Sequence, residues 1–460
     1  MQLKPRQLVA VAARAPRRAR RLLHDVLPTS APLVTVSGGD SGRQPREVRD
    51  RVHAQVQLVR EAYGDDVAVW SATGHDGDAE FLYHPRRLLV RSRDVERVRE
   101  AFEADKHYDG VGEADRSRLD GLVVYTPPAR RRSDVNALQA VADLERRLPP
   151  GVVTLDHLLH VSGGTGRLCP ATEPELPPSE TPLPAVTDDA DAGRGVRVSV
   201  VDTGWWPKAA AHDWLDDDGI EGDVETVDPT KIHPYAGHGT FVTGVLRCLA
   251  PATDVEVEGV LTTGGAIYES KIVEELHEAV TDPDGPDLIS ISAGGRTRNG
   301  APMLSFLVLR DDARHGLKKR NGRPALIVAA AGNDGADWPL YPAAFDWVLS
   351  VGSLDADGSV SDFSNYGDWV DVYARGRDLI NAFPHGTYTC HEPDHLGEVR
   401  EFEGMAQWSG TSFSTPVVSG TLARYMSGGM SAHAAKAMLI SDGRLITAPD
   451  GSTGFAVAEF

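Results

Sequence analysis

Residues 410–416 read GTSFSTP, which predicts a serine, Ser412, at the mouth of a short helix. A nucleophilic serine is held in such a position at a turn into a helix. Taken alone, a Gly-Thr-Ser triplet is usually a helix cap or a turn, because serine is a favoured N-cap residue. A catalytic interpretation therefore needs partners for this serine elsewhere in the chain.

Two glycine-bounded segments upstream supply a carboxylate and an imidazole. Residues 200–204 read VVDTG and end an apolar run on Asp202, and residues 237–240 read GHGT and open a helical stretch with His238. A serine hydroxyl is a poor nucleophile near neutral pH, so a neutral imidazole has to accept its proton and later give it to the leaving amine. A carboxylate holds that imidazole in the right tautomer and stabilises its charged form. Asp202, His238 and Ser412 are thus the predicted catalytic residues.

These three segments together resemble the subtilisin-like (subtilase) serine proteases, in which aspartate, histidine and serine follow one another in this order. The resemblance covers roughly residues 193 to 450 and implies a serine endopeptidase that works through an acyl-enzyme. Asn333, in the segment AAGNDG at 330–335, matches the oxyanion asparagine of that family. Its side-chain amide and the backbone N–H of Ser412 would both point at the developing negative charge.

Apolar runs alternate with helical spacing in the second half of the chain. Strands are predicted at 196–201, 254–260, 288–291, 326–329 and 348–351, and helices at 238–249, 272–280 and 303–309. Near-continuous apolar strands separated by helices indicate an α/β fold, doubly wound, with a mostly parallel sheet covered by helices on both faces. In such sheets ligands gather at the carboxyl ends of the strands, where Asp202 and Asn333 are expected.

Small residues flank the predicted catalytic centre and suggest a substrate cleft. Ser292, Ala293 and Gly294, after the strand at 288–291, resemble the family segment that forms one wall of the specificity pocket, and Thr263, Gly264 and Gly265 resemble the facing strand. A peptide held between them would be bound as an added strand through backbone hydrogen bonds. Without the catalytic residues, both segments would be interpreted as ordinary glycine turns.

The chain is expected to divide at a proline-rich linker. Residues 169–192 contain six prolines with few large apolar residues, which separates residues 1–168 from a catalytic domain at 193–460. The first part shows strands at 81–90, 122–125 and 152–155 and helices at 95–102 and 135–144, which predicts a smaller α+β domain. A unit placed there resembles the family's propeptide, with self-cleavage between Leu168 and Val196. A separate recruitment or regulatory domain is the alternative.

Charge is distributed unevenly along the chain, whose net charge is −20. Residues 1–150 carry 26 Lys and Arg against 22 Asp and Glu, and the remainder carries 21 against 45. The acidic balance of the second part disfavours nucleic-acid binding, and the asymmetry favours docking of the first part on the catalytic domain, although a solvated acidic surface explains it equally well. We expect a peptide or protein substrate.

Location is predicted from the start of the sequence and from the cysteines. The first 23 residues place arginines after a short apolar run, the reverse of a secretory signal, and no run approaches the roughly 18 apolar residues of a membrane span. Three cysteines, Cys169, Cys248 and Cys390, suggest no disulfide framework. We therefore expect a cytoplasmic protein without membrane association, with a transit-like or twin-arginine role of the arginines as the alternative.

No cofactor is required by the predicted chemistry, although two groups of potential metal ligands stand out. Calcium is possible at a cluster that lacks a recognisable ligand spacing, namely Asp216, Asp217, Asp218, Glu221 and Asp223. Zinc could bind four residues of the insertion before Ser412, namely His385, Cys390, His391 and His395. Their spacing matches no standard motif, and a polar surface loop is the simpler interpretation. The rival function is a catalytically silent peptide-binding or regulatory module on the same fold. An esterase or peptide ligase with the same three residues is a further possibility that nothing in the sequence favours.

Overall fold

The computed structural model describes residues 46–161, 171–180, 183–216, 219–261, 263–312, 317 and 323–457. Its helices are α1 (Arg46–Tyr63), α2 (Val95–Glu103), α3 (Ala137–Leu144), α4 (His238–Leu249), α5 (Glu269–Thr281), α6 (Leu304–Asp311), α7 (Thr411–Met426) and α8 (Ala432–Asp442). Its strands are β1 (Ala68–Trp70), β2 (Phe81–Arg91), β3 (Glu113–Arg116), β4 (Leu122–Thr126), β5 (Val153–His160), β6 (Arg197–Asp202), β7 (Ile220–Gly222), β8 (Asp254–Gly259), β9 (Ala266–Tyr268), β10 (Leu288–Ile291), β11 (Leu326–Ala330), β12 (Leu349–Leu354), β13 (Val372–Arg375), β14 (Leu379–Thr389), β15 (Val399–Trp408), β16 (Arg444–Thr447) and β17 (Thr453–Ala456).

A nine-stranded sheet forms the centre of the second part of the chain. Its strand order is β16-β17-β13-β12-β11-β10-β6-β8-β7, and every neighbouring pair is parallel except β16 with β17. The strands predicted from the apolar runs are β6, β8, β10, β11 and β12. The α/β fold class predicted from the sequence is thereby confirmed.

Alternating side chains of these buried strands build a core on each face of the sheet. Val198 and Val200 of β6 pack with residues of α4, α7 and α8, whereas Val201 and residues of β10 and β11 pack with α5 and α6 on the other face. Both faces are covered because successive residues of a strand point in opposite directions. Asp202 lies at the carboxyl end of β6, and Asn333 lies just beyond the carboxyl end of β11. Both residues are therefore at the same edge of the sheet, between its two helical layers.

A second, mostly antiparallel sheet lies in the first part of the chain, in the order β3-β4-β2-β5, with β1 beside β2. The predicted strands and helices are β2, β4, β5, α2 and α3, and the sequence analysis missed α1, β1 and β3. Strand β5 also pairs antiparallel with β9, with Leu158 opposite Tyr268 and His160 opposite Ala266. The sheet of residues 46–161 is thus continued by a strand that lies beyond the linker.

Three local predictions were wrong. The helix that follows Gly410 is not short, because small and apolar residues such as Gly420 and Leu422 allow it to run for 16 residues through the core. Thr263–Gly265 forms a tight turn instead of a strand, since Gly264 and Gly265 adopt φ values of 74° and 59°. The insertion with His385 is not a surface loop but the β14–β15 hairpin, whose residues Phe383 and Phe402 enter the core.

Within the described segments, every helix is too short or too polar to cross a lipid bilayer.

Candidate active site

Asp202 and His238 form a buried hydrogen-bonded pair. Asp202 is the last residue of β6 and His238 the first of α4, and Nδ1 of the imidazole lies 2.7 Å from Oδ1 of the carboxylate. Both side chains have 0% exposure. The same carboxylate oxygen accepts a hydrogen bond of 2.8 Å from the backbone N–H of Thr203. Two donors thus hold one oxygen of Asp202 and direct it at the imidazole.

The glycines around His238 allow this close approach. Gly237 precedes the helix with φ of 81°, a left-handed conformation that glycine adopts without strain. A Cβ on Gly239 would stand 2.5 Å from the backbone oxygen of Gly204, so any larger residue would push α4 away from the end of β6. The GHGT pattern is therefore required by packing as well as by chemistry.

Ser412 lies in the first turn of α7 and is fully buried. Its hydroxyl donates weakly to two carbonyl oxygens, that of Val161 at 3.4 Å and that of Ser292 at 3.3 Å. Pro416 has no N–H, so the carbonyl of Ser412 has no intrahelical donor four residues ahead. The hydroxyl of Ser292 donates to this carbonyl instead, at 2.8 Å, and ties the start of α7 to the end of β10.

The imidazole of His238 borders the start of α7. Phe413, the residue after Ser412, has its ring centroid 5.2 Å from that of His238, and Trp408 contributes an edge-to-face contact at 5.4 Å. The Nε2 atom of His238 is buried and has no hydrogen-bond partner among the described residues. In this structure the serine hydroxyl is therefore engaged by carbonyl oxygens, and the basic nitrogen of the imidazole is unused.

Asn333 follows β11 by three residues and is 1% exposed. Its Oδ1 accepts hydrogen bonds from the backbone N–H and from the hydroxyl of Thr411, both at 2.9 Å. These bonds hold the carboxamide group in one orientation through its oxygen. The carboxamide nitrogen is a hydrogen-bond donor. The predicted oxyanion residue is thus attached to the residue that directly precedes Ser412.

Residues 158–161 of the first part of the chain run between the two predicted cleft walls. His160 and Gly294 exchange two backbone hydrogen bonds, of 2.9 and 3.1 Å, and the N–H of Val161 donates to the oxygen of Gly265 at 2.8 Å. A Cβ on Gly295 would clash with the carbonyl oxygen of Leu158. The end of β5 is therefore held as an inserted strand that leads to Ser412.

The other predicted cleft residues take different positions. Ala293 is buried in the core beneath the sheet, and Gly264 faces α1, since a Cβ there would meet Ala62 at 3.0 Å. The side chain of Thr263 lies outside the described part. Among the six predicted cleft residues, Gly265 and Gly294 contact the inserted strand and Ser292 contacts Ser412 itself.

The linker is hydrogen-bonded to the segment that precedes Ser412. The N–H of Ala171 donates to the oxygen of Ser409 at 2.8 Å, and Glu175 exchanges backbone hydrogen bonds with Gln407 of β15. Glu173 is 2% exposed, and its side chain accepts a hydrogen bond of 2.8 Å from the hydroxyl of Tyr388. Sequence reasoning missed these contacts because the proline-rich stretch carries no strand pattern.

Ionisable side chains are buried where β5 meets the catalytic part. Asp156 accepts hydrogen bonds from the N–H and hydroxyl of Ser270, and burial together with the charge of Glu269 raises its pKa to about 7. His160 lies 2.8 Å from the side-chain nitrogen of Gln55 on α1, and burial lowers its pKa to about 4. Two buried groups of β5 therefore have shifted pKa values where this strand meets the catalytic part.

The acidic residues considered for calcium are engaged by protein groups. Asp216 pairs with Arg247, Glu221 pairs with Arg197, and Asp223 accepts a hydrogen bond from the N–H of Gly259. Asp217 and Asp218 lie outside the described residues.

The residues considered for zinc are separated along the β14–β15 hairpin. His395 pairs with Glu398, and Cys390 is buried in the core, where desolvation raises its pKa to about 12. Across the described ranges, histidine, cysteine and acidic side chains nowhere form a group of three or more suited to a metal.

Comparison with known proteins agrees with this architecture. The profile of the Subtilase family matches residues 193–455, more than half of the chain. The chain therefore belongs to the subtilase family, which confirms the resemblance found in the sequence.

Individual relatives cover the same part of the chain. An intracellular serine protease of Paenibacillus polymyxa is 32% identical over 249 residues, which are 50% of this chain and 66% of that protein. Subtilisin NAT of Bacillus subtilis subsp. natto is 27% identical over 265 residues, 54% of this chain and 60% of that protein. Subtilisin Savinase of Lederbergia lenta is 28% identical over 258 residues, 53% of this chain and 81% of that protein. The chain thus spans less than two thirds of the length of the first two relatives.

Proposed function

We propose that this protein is a serine endopeptidase that hydrolyses peptide bonds through an acyl-enzyme on Ser412. The observation that carries the proposal is a peptide segment, residues 158–161, hydrogen-bonded to both cleft walls and ending with a carbonyl 3.4 Å from the hydroxyl of Ser412. Membership of the subtilase family and the hydrogen-bonded Asp202–His238 pair support the same assignment.

The proposed reaction begins when the hydroxyl of Ser412 rotates from the carbonyl oxygens toward Nε2 of His238. Catalytic hydrogen bonds are often formed only in the substrate complex, so the resting geometry is compatible with this step. The oxygen attacks the carbonyl carbon as its proton passes to Nε2, and Asp202 stabilises the resulting imidazolium. His238 then protonates the leaving amine, and water hydrolyses the acyl-enzyme by the reverse proton transfers.

Asn333 and the start of α7 are proposed to stabilise the oxyanion. The carboxamide nitrogen of Asn333 and the backbone N–H of Ser412 would donate to the negatively charged oxygen, in a site from which water is largely excluded. Thr411 would hold the carboxamide in this orientation through the two hydrogen bonds to Oδ1. All of these groups belong to the chain, and we propose that the reaction needs no cofactor, calcium having at most a structural role.

A bound substrate is proposed to replace residues 158–161 as a strand between Gly265 and Gly294. Ser292 would complete the wall on the Gly294 side, since it joins β10 to the serine-bearing helix. Ala293 and Gly264 would support these walls from behind, because one packs in the core and the other against α1. The substrate class is therefore an extended segment of peptide or protein.

Residues 1–168 are proposed to act as a propeptide-like domain that docks on the catalytic domain at 193–460 and occupies its cleft. The pairing of β5 with β9 and the inserted strand support this assignment over a separate recruitment domain. The carbonyl beside Ser412 is that of Val161, which is seven residues before the cleavage window predicted from the linker. We therefore propose self-cleavage close to Val161. We also propose that the protein acts in the cytoplasm.

A serine-directed phosphonate probe tests the proposal. We expect labelling of the wild-type protein and of Ser414→Ala, and none of Ser412→Ala. Ser414 is a matched control on the same helix turn, since its buried hydroxyl has no hydrogen-bond partner among the described residues. Hydrolysis of a peptide substrate, followed by product analysis, separates a peptidase from an esterase or ligase. Equal labelling of wild type and Ser412→Ala, or none of either, would instead support a catalytically silent binding module.

A further inference from the structure

Glu225 lies beside the loop that follows Asp202, in the segment of chain between Asp202 and His238. Val224 forms a parallel bridge with Trp205, and the N–H of Glu225 donates to the oxygen of Trp205 at 2.7 Å. The N–H of Trp205 in turn donates to the oxygen of Asp223 at 2.8 Å. These backbone bonds fix the position of the Glu225 side chain, which is half-buried.

The carboxyl group of Glu225 contacts the residues on either side of His238. Its Oε2 accepts a hydrogen bond of 2.8 Å from the N–H of Gly237, and the same group is hydrogen-bonded to the hydroxyl of Thr203. The hydroxyl oxygen of Thr203 accepts from the N–H of Gly239 at 3.0 Å. One acidic side chain therefore holds Gly237 directly and Gly239 through Thr203.

Helix α4 needs such a group because its own N-cap has no side chain. Gly237 makes no side-chain capping bond, while the first N–H groups of any helix lack partners within the helix. An acidic group near a helix N-terminus satisfies these donors and interacts favourably with the helix dipole. Glu225 supplies this cap from 12 residues before Gly237, and it thereby fixes the Cα position of His238 relative to Asp202.

The charge of Asp202 acts on Glu225. Burial and the neighbouring charge of Asp202 raise the pKa of Glu225 to about 8. Asp223, two residues earlier, is turned to the N–H of Gly259. The bond to Gly237 does not depend on ionisation, because a protonated carboxyl group still accepts through its carbonyl oxygen.

We propose that Glu225 is a positioning residue that sets the geometry of His238 by capping α4 and binding Thr203. This inference rests on the proposed peptidase function, since it assigns His238 as the base. Glu225 is not proposed to contact the substrate.

Three variants test the inference: Glu225→Ala, Glu225→Gln and, as a matched exposed control, Glu221→Gln. Misplacement of a catalytic group by about 1 Å can cost about 100-fold in rate, so we expect Glu225→Ala to lower kcat by about 10- to 100-fold with little change in KM. Glutamine can accept from Gly237 and donate to Thr203. Glu225→Gln should therefore retain most of the rate that Glu225→Ala loses, and Glu221→Gln should behave as the wild type.

A second readout does not depend on turnover. In the Ser412→Ala background, the proton on Nδ1 of His238 should give a strongly deshielded NMR signal that reports its bond to Asp202. We expect Glu225→Ala to shift or broaden this signal and Glu225→Gln to leave it nearly unchanged. An unchanged signal in Glu225→Ala, or an equal change in both variants, overturns the positioning role. Failure of the peptidase proposal would appear separately, as absence of Ser412-dependent labelling.

Discussion

The hydroxyl oxygen of Ser412 lies 3.4 Å from the carbonyl oxygen of Val161, a residue 251 positions earlier in the chain. The inserted strand that ends at Val161 is bonded to Gly294 on one side and to Gly265 on the other. Further along the chain, the N–H of Ala171 in the linker donates to the oxygen of Ser409, three residues before Ser412. Residues on both sides of Leu168 in sequence are therefore bound close to the candidate nucleophile.

Self-cleavage near Val161 is the first prediction. During incubation, the wild-type protein should lose an N-terminal fragment through a cut within two residues of Val161. We expect the cut there because the carbonyl group of Val161 is the one that lies beside the hydroxyl of Ser412. Intact-mass measurement and N-terminal sequencing locate the cut. Ser412→Ala should keep the mass of the full chain. A cut between Ala171 and Val196, or equal masses for both proteins, would contradict this prediction.

Asn333→Ala should lower kcat while leaving KM nearly unchanged. Removal of one oxyanion donor costs about 100- to 1000-fold in turnover, equivalent to about 3 to 4 kcal/mol in the transition state. Steady-state kinetics on a peptide substrate measures the effect. The variant also removes the acceptor of the Thr411 N–H, so its thermal unfolding has to be compared with the wild type. A rate within threefold of the wild type in a folded variant would exclude Asn333 from this role.

Gly295→Ala should slow self-cleavage because a Cβ at this position would clash with the carbonyl oxygen of Leu158 in the inserted strand. Displacement of the strand by about 1 Å can cost up to about 100-fold in rate. The time course of the intact mass measures it. Gly428→Ala is the matched control, since a Cβ there meets nothing within 4 Å. Equal cleavage rates in the two variants would show that the strand does not pass as described.

The stability of the intact chain should depend on pH through Asp156. Its folded-state pKa is raised to about 7, so between about pH 4 and 7 the folded state keeps a proton that the unfolded state loses. This contribution weakens folding progressively as pH rises through that window and is constant above it. The total effect is on the order of 4 kcal/mol. Asp156→Asn should therefore be more stable than its parent at pH 8, with the gap closing toward pH 4.

Thermal unfolding in the Ser412→Ala background measures this effect without interference from cleavage. Burial of His160, which lowers its pKa to about 4, acts in the opposite sense on the acid side, so the variant and its parent are compared at each pH. Asp65→Asn, at an exposed position of the same region, serves as the control. A constant difference between Asp156→Asn and its parent from pH 4 to 8 would contradict the assignment.

Removal of divalent metals should leave peptide hydrolysis unchanged. Asp216 and Glu221 are neutralised by Arg247 and Arg197, and no proposed step uses a metal. The rate is measured after dialysis against a chelator and after readdition of calcium. A reversible loss of the rate at a constant unfolding temperature would indicate a metal in the reaction, whereas a loss that follows unfolding would indicate a structural calcium.

Much of the catalytic part could be predicted from local sequence. The apolar runs at 196–201, 288–291 and 326–329 are long enough and apolar enough to be buried strands, and they are β6, β10 and β11. The short patterns around Asp202, His238, Asn333 and Ser412 could be recognised because each combines a reactive side chain with glycines that allow close backbone approach.

Other features depend on contacts between residues distant in sequence. The pairing of β5 with β9, the insertion of residues 158–161 beside Ser412 and the capping of α4 by Glu225 leave no periodic signal, because each joins segments through backbone hydrogen bonds or a single side chain. The four candidate catalytic residues and five strands of the central sheet, β6, β8, β10, β11 and β12, thus follow from the sequence alone. Which peptide fills the cleft, and which group holds His238 in place, is decided only when the folded chain brings those backbone groups within hydrogen-bonding distance.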